Sequence, residues 1–216
     1  YGPPAIGGSV NIVANPFQQE AAVTLETVLG FQELGGENRT SLSTKKFSVA
    51  VNSGLVNNKY MLYGRLAKLQ TDRYREKSWV DTNSYFLGAV RFDEEMTTRL
   101  HLFGGPFADG LVYTGLPKFV NGDRKLRRQN FSDWGTDSTG NAYSYNVPRR
   151  SQEVENFSQP HFEILHNWRL SQKIALDNTV FLVMGEGFFD YDASWADTSL
   201  LRLGSKYGFP TNQNPA

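Results

Sequence analysis

The chain contains no cysteine among its 216 residues, so neither a disulfide framework nor a thiolate metal site can form. It also has no stretch near the roughly 18 consecutive apolar residues of a membrane helix. Helix signals are nearly missing: no segment sustains apolar residues at i, i+3, i+4 and i+7 between a cap and a stop. There is no net charge either, with 22 basic against 22 acidic residues. That balance removes the global electrostatic case for a nucleic-acid partner. Apolar residues reach only 39%, low for a compact soluble core. None of this excludes a membrane β-barrel, whose strands need only about 9–11 residues of alternating character.

What the sequence does have is aromatic residues (13%) and 20 glycines, a composition suited to strands and turns. Runs of period two recur. In "KKFSVAVNSG", Phe47, Val49 and Val51 fall on one face and Lys46, Ser48, Ala50 and Asn52 on the other. In "HFEILHNWRL", Phe162, Ile164, Trp168 and Leu170 share a face with His166, opposite His161, Glu163, Asn167 and Arg169; Leu165 is the exception. In "SYFLGAVRFD", Phe86, Gly88, Val90 and Phe92 oppose Arg91 and Asp93. These patterns predict strands near Ala22–Phe31, Thr40–Ser53, Lys59–Thr71, Ser84–Phe92, Thr98–Phe103, Gln159–Leu170 and Ile174–Phe189. The run Val180 to Met184 is apolar on both faces and departs from the pattern.

A strand with one apolar and one polar face fits between lipid and a wet lumen, or between a core and solvent. Periodicity alone leaves both open. The connections point one way. "VNNK", "DEEM" and "SQK" are tight and polar, whereas "ELGGEN", "TDRYREKSWVDTN" and the span near 105–157 are long. Short and long connections alternate, as the short periplasmic turns and long external loops of an outer-membrane barrel do.

The opening "YGPPAIGGSVNIV" resembles the end of the plug domain of TonB-dependent outer-membrane receptors, with Tyr1-Gly2, then Gly7-Gly8, then the strand Val10-Asn11-Ile12-Val13. The chain departs from that pattern at "ANP", where the family carries Thr and a basic residue. "KKFSVAVNSGLVNNKYMLYGRLAKLQTDRYREKSW" resembles the second and third barrel strands with their turn, although Arg73 stands where the family has Gly. "GGPFADGLVYTGLPKF" is similar to the third extracellular loop of siderophore-type members. "ENFSQPHFEILHNWRLSQKIALDNTVFLVMGEGFFDYD" resembles the next hairpin, ending in Gly185, Gly187, Phe188 and Phe189.

The resemblance implies an all-β fold: a partial transmembrane antiparallel barrel of about seven strands, from a plugged barrel of about 22, preceded by the last plug strand. Residues 1–18 would be the C-terminal end of the plug and its linker. Residues 19–216 would be the first part of the barrel, with a long extracellular loop near 105–157. The implied function is TonB-dependent import of a ferric siderophore across the outer membrane of a Gram-negative bacterium. The implied partners are outer-membrane lipid, TonB acting through a segment outside this chain, and the cargo; no cofactor and no nucleic acid are implied. Cobalamin, haem or a glycan are alternative cargoes, and a non-transporting all-β surface or adhesion protein is the alternative from another class.

Catalytic and metal-binding residues are not expected. Ser9 has no Gly-x-Ser-x-Gly elbow around it, and His101, His161 and His166 lack the spacing of convergent metal ligands. "GGENRT" has neither the Lys nor the helix of a phosphate loop. Trp168, beside the "SQK" turn, fits an interfacial aromatic girdle. The long loop mixes basic and aromatic residues. Arg forks pair with carboxylates and aromatic rings stack on planar groups, so Arg128, Trp134, Tyr143, Tyr145, Arg149 and Arg150 are the candidate cargo contacts. The bland alternative is a solvated basic face pairing with lipopolysaccharide phosphates or nearby Asp.

Overall fold

The computed structural model describes residues 16–34, 40–112, 115, 116, 118, 120–124, 126–135, 145–148, 153–190 and 206. Among them the fold is all-β, with no α-helix. Five strands come first: β1 (Ala21–Leu34), β2 (Thr40–Ser53), β3 (Tyr60–Asp72), β4 (Trp79–Phe92) and β5 (Met96–Gly104). The short β6 (Phe107–Gly110) follows. Two 3₁₀ turns (Val120–Gly122 and Leu126–Arg128) then lead to the hairpin β7 (Phe131–Gly135) and β8 (Tyr145–Pro148). The last four are β9 (Val154–Ser158), β10 (His161–Ser171), β11 (Ile174–Val183) and β12 (Glu186–Phe189).

All pairing is antiparallel, and the main sheet runs β1-β2-β3-β4-β5-β10-β11. β6, β9 and β12 are continuations of β5, β10 and β11. Tyr85 faces Gly104, and three residues on, Thr82 faces Phe107. In the same way His161 faces Phe103 and Phe157 faces Phe107; His161 also faces Val183, and Ser158 faces Glu186. The register crosses each break unchanged. The breaks coincide with Pro106 and Pro160, which have no N–H to give to a ladder. Their carbonyls still accept, from Asn83 at 2.9 Å and Met184 at 3.1 Å. The sheet therefore consists of seven long ribbons in the order the periodicity predicts.

Several ribbons exceed the predicted lengths. β4 begins at Trp79 rather than near Ser84, and the long connection shrinks to the residues between Gly110 and Val154. The added rungs, such as Gln70 opposite Asp81 and Leu69 opposite Thr82, are largely polar on both faces. A strand that is wet on both sides has no hydrophobic period to read.

Alternation divides the sheet into two faces. One carries Val23, Leu25, Leu29 and Phe31 of β1, Phe47, Val49 and Val51 of β2, and Leu62 and Leu66 of β3. It continues through Leu87, Leu100, Leu102, Phe162, Ile164, Leu176 and Val180. Apart from the half-buried Val49 and Ile164, these side chains are uncovered: Val23, Leu25 and Phe31 are 68%, 69% and 74% exposed. A soluble protein rarely leaves so large a contiguous apolar surface open. The band also slants. On β1 it extends from Val23 to Phe31, yet the ladder from Thr27, its middle, leads through Phe47 to Lys68 and Asn83. On β10 it has moved to Phe162–Leu170, next to the turn into β11. Where a sheet curls with strands inclined about 35–45° to the axis, a level band crosses the strands diagonally in this way.

The three short turns share one end of the sheet. Asn57 and Asn58, at φ 50° and 53°, are the central residues of the turn in which the Lys59 N–H bonds the Val56 carbonyl at 3.0 Å, and their positive φ angles match strand twist. At the β4–β5 turn, Lys59 and then Arg91 bond the Asp93 carboxylate and hold it below the usual carboxylate range. That contribution is present at neutral pH and fades as acid protonates the group, below about pH 4.

Among the described residues β1 and β11 end the strand order with an unpaired edge each, a template for non-native association. Expressed alone, residues 1–216 should aggregate or oligomerise when refolded from denaturant. A monomer with one sharp cooperative melt would contradict this.

Candidate functional site

The second face of the sheet is polar and aromatic, and it holds the strongest side-chain network of the described residues. Glu26, Lys46, Ser48 and Arg65 follow one another across β1, β2 and β3. Lys46 Nζ lies 2.8 Å from Glu26 Oε2, Ser48 Oγ donates to that oxygen at 3.1 Å, and Arg65 Nη2 stands at 4.0 Å. Further along, His101 Nδ1 is 3.5 Å from Glu163 Oε2, and Arg99 donates to Asn167 Oδ1 at 3.0 Å. Asn167 in turn donates to Asp177. Such pairs belong beside water rather than lipid, because burial of a charge costs more than its pairing returns.

Between these polar groups runs a chain of ring contacts. Tyr63 meets Phe86 at 5.8 Å, Phe86 meets His101 at 5.2 Å and Phe103 at 5.9 Å, and Phe103 stacks on His161 at 4.8 Å. Val183 and Phe181, opposite His161 and Glu163, extend it. That accounts for the doubly apolar run of β11: one face joins the outer band and the other joins the ring chain.

Phe17, which precedes β1, sits on this same face. Its ring lies 6.4 Å from Tyr63 and 6.3 Å from His101. The seat exists because residue 88 is glycine: a Cβ there would come within 2.8 Å of Phe17 Cζ and 3.0 Å of Phe86 Cε1. Buried Asn52 fastens the same segment. Its Nδ2 donates to the Pro16 carbonyl at 3.0 Å, while its Oδ1 accepts from the Gly54 N–H at 2.9 Å. The Leu55 N–H bonds the Gln19 carbonyl at 2.9 Å. The chain thus reaches β1 from the polar side of the sheet, held at the short-turn end.

At the opposite end the connections interlock. The Glu76 N–H bonds the Arg128 carbonyl at 2.8 Å, and Arg75 Nε donates to the Gln129 carbonyl at 2.5 Å. Arg127 Nε donates to the Tyr74 hydroxyl at 2.5 Å, with its guanidinium 5.6 Å from that ring. Asn130, buried, donates to the carbonyls of Leu111 and Glu76 at 2.8 and 3.0 Å. Leu111, Val120, Ser78 and Glu153, on the connections of this end, are buried as well, Val120 completely. Asp109 stands beside this core above the apolar band. Burial raises its carboxyl above the ordinary range, opposed by Arg73 at 3.5 Å and reinforced by Glu155.

Of the predicted cargo contacts, Arg128 lies on the second 3₁₀ turn, half-buried, with Nε donating to the Tyr74 carbonyl at 3.3 Å. Trp134 and Tyr145 belong to the β7–β8 hairpin, on adjacent rungs: Trp134 opposite Asn146 and Tyr145 opposite Gly135. Tyr143, Arg149 and Arg150 lie outside the described residues, as do Tyr1, Gly2, Gly7, Gly8 and Asn11. His101 and His161 are on the polar face and His166 on the apolar one, bonded to Thr98 at 2.8 Å. Among the described residues no three His, Asp or Glu side chains form a metal-binding group. The Phe17 seat and the Tyr74–Arg127 clasp were not foreseen. Both join residues dozens of positions apart, a distance at which local pattern carries no signal.

Comparison with protein-family models, with curated proteins and with solved structures finds no match.

A Gly88→Val side chain has no room beside Phe17. Amide exchange at Leu55, whose N–H bonds the Gln19 carbonyl, should rise at least tenfold in that variant, and unchanged protection would contradict the seat. Asn52→Ala should destabilise the same junction by about 1–3 kcal/mol, since two backbone groups lose their partner; thermal unfolding checks it.

Proposed function

We propose that the chain forms the first part of the barrel wall of a TonB-dependent outer-membrane receptor, which imports a scarce ligand across the outer membrane. The observation that carries this reading is the slanted, uncovered apolar band on one face of the sheet, opposite a charged and aromatic face that receives the chain from Phe17. A band of that kind meets acyl chains. A polar face of that kind lines a wet interior, and a chain entering from the interior side is what a plug joined to its wall requires.

Two further features support the reading. Short turns and elaborated connections occupy opposite ends. The elaborated end is interlocked through Tyr74, Arg127 and Asn130, giving a shaped outer rim on which specificity for a ligand can be built. A ferric siderophore is the proposed cargo, on the likeness of "GGPFADGLVYTGLPKF" to the siderophore-type loop. TonB would draw on the inner-membrane energy source to rearrange the plug, and import would need no covalent step in the wall.

Two experiments test this. A strain deleted for the full-length gene should lose growth on at least one defined ferric siderophore as sole iron source; unchanged uptake of every siderophore tested would remove the cargo assignment. Within the full-length protein, Leu66→Arg on the apolar face should cost about 2–4 kcal/mol of stability in the bilayer, the range for a cation facing lipid near the midplane. Ser84→Arg, on the polar face, should cost far less. Equal losses measured by unfolding from vesicles would reject the membrane orientation.

A further inference from the structure

The apolar face is not evenly filled. Across β3, β4 and β5 it carries an open groove of about 540 Å³, lined by Val51, Leu62, Leu87, Leu102 and Phe162 along with Gly64. Gly64 is not demanded by the backbone, since its φ is not in the left-handed region. Nor is it demanded by crowding: an added Cβ would meet only Leu87 Cδ2, at an ordinary 3.5 Å. A glycine inside a strand weakens it, and the effect left by this one is the hollow.

At the short-turn end the groove meets charge. Arg91 follows the lining residue Ala89 by two positions on the same face, and its side chain is half exposed. It bonds Asp93 through two nitrogens at 2.7 and 3.3 Å. Lys59 Nζ reaches the same carboxylate at 2.6 Å, and exposed Glu94 and Glu95 complete the turn. One end of an apolar trough therefore presents a guanidinium fork beside a group of carboxylates. With Nε and Nη2 on Asp93, the Nη1 side of the guanidinium is the one that can donate to a phosphate; the exposed carboxylates of Glu94 and Glu95 match an ammonium.

Resting on the membrane reading above, we propose that this groove is a built site for one aminophospholipid of the leaflet nearest the short turns. An acyl chain lies along Gly64, the phosphate on Arg91, and the ethanolamine ammonium on the acidic turn. Charge complementarity selects phosphatidylethanolamine over phosphatidylglycerol, which has no cation for Glu94 and Glu95, and over phosphatidylcholine, whose ammonium has no N–H to donate.

The test uses the full-length receptor in nanodiscs of equal phosphatidylethanolamine and phosphatidylglycerol, with lipids retained after mild extraction counted by native mass spectrometry. The parent should keep one phosphatidylethanolamine. Gly64→Leu, which fills the trough, should lower that retention about tenfold, Arg91→Gln should weaken retention of either lipid, and Glu94→Gln with Glu95→Gln should abolish the preference between the two lipids. Gly64→Ala is a milder filler that the local space admits; it should give an intermediate loss and guards against misfolding of the larger variant. Undiminished retention in both Gly64 variants would overturn the proposal. So would equal retention of phosphatidylglycerol by the parent, or a receptor dimer that Gly64→Leu dissociates. Failure to enter nanodiscs at all would instead overturn the membrane reading, whereas insertion without retained lipid removes only the groove.

Discussion

The structure depends on the antiparallel backbone ladder, which pairs N–H and C=O groups from Ala21 to the end of β12 while leaving side chains to alternate. In hydrocarbon an unpaired backbone polar group costs several kcal/mol, so only a helix or a ladder that closes on itself can cross. A ladder has a consequence that a helix lacks: each residue must choose a face, and its neighbours choose the other. Charge and grease can then coexist one residue apart, as Glu26 and Leu25 do. The sheet needs no dry centre of its own. Among the described residues the few deeply buried side chains are divided between the polar face of the sheet, as Met61 and Val90 are, and the connections, as Leu111 and Val120 are.

How much of this was legible in the sequence follows from the same physics. The seven ribbons could be read wherever apolar and polar residues alternated, as from Phe47 to Asn52; from Tyr85 to Arg91 the strand was legible but its faces were exchanged, because Phe86, Gly88 and Val90 lie on the polar and aromatic face and Leu87, Ala89 and Arg91 on the apolar one. Beyond the band the signal vanished. Trp79 to Asn83 continue β4, but Asp81, Thr82 and Asn83 are polar on both faces, and the stretch resembled a loop. Near Pro106 and Pro160 the pattern falls short of the ribbons: β6 and most of β9 lie within the span near 105–157 that reads as a long loop. The alternation of tight and elaborate connections was plain from composition, because a two-residue turn with positive φ demands residues such as Asn57 and Asn58.

The site was harder to read than the fold, because its determinants are non-local. The aromatic chain from Tyr63 to His161 draws on β3, β4, β5 and β10, and only the register brings those rings together. The seat of Phe17 depends on what Gly88 lacks. In the long connection, Arg127 and Arg128 had the chemistry of ligand contacts, and the structure gives both a second occupation: they bind the 73–78 connection, through the hydroxyl and carbonyl of Tyr74. An Arg-rich loop can be rich in Arg because it must be held in shape, since guanidinium forks satisfy carbonyls that a loop would otherwise leave unpaired.

The central claim is that one face of this sheet meets lipid and the other meets water. Nitroxide labels placed singly from Val23 to Phe31 in the full-length, membrane-inserted protein test it most directly, through collision with lipid-soluble oxygen and with a water-soluble nickel chelate. A two-faced wall predicts that oxygen access peaks at Val23, Leu25, Thr27, Leu29 and Phe31, with chelate access out of phase at Thr24, Glu26 and Val28. Labels at the odd positions shielded from both reagents, as inside a packed protein core, would contradict it.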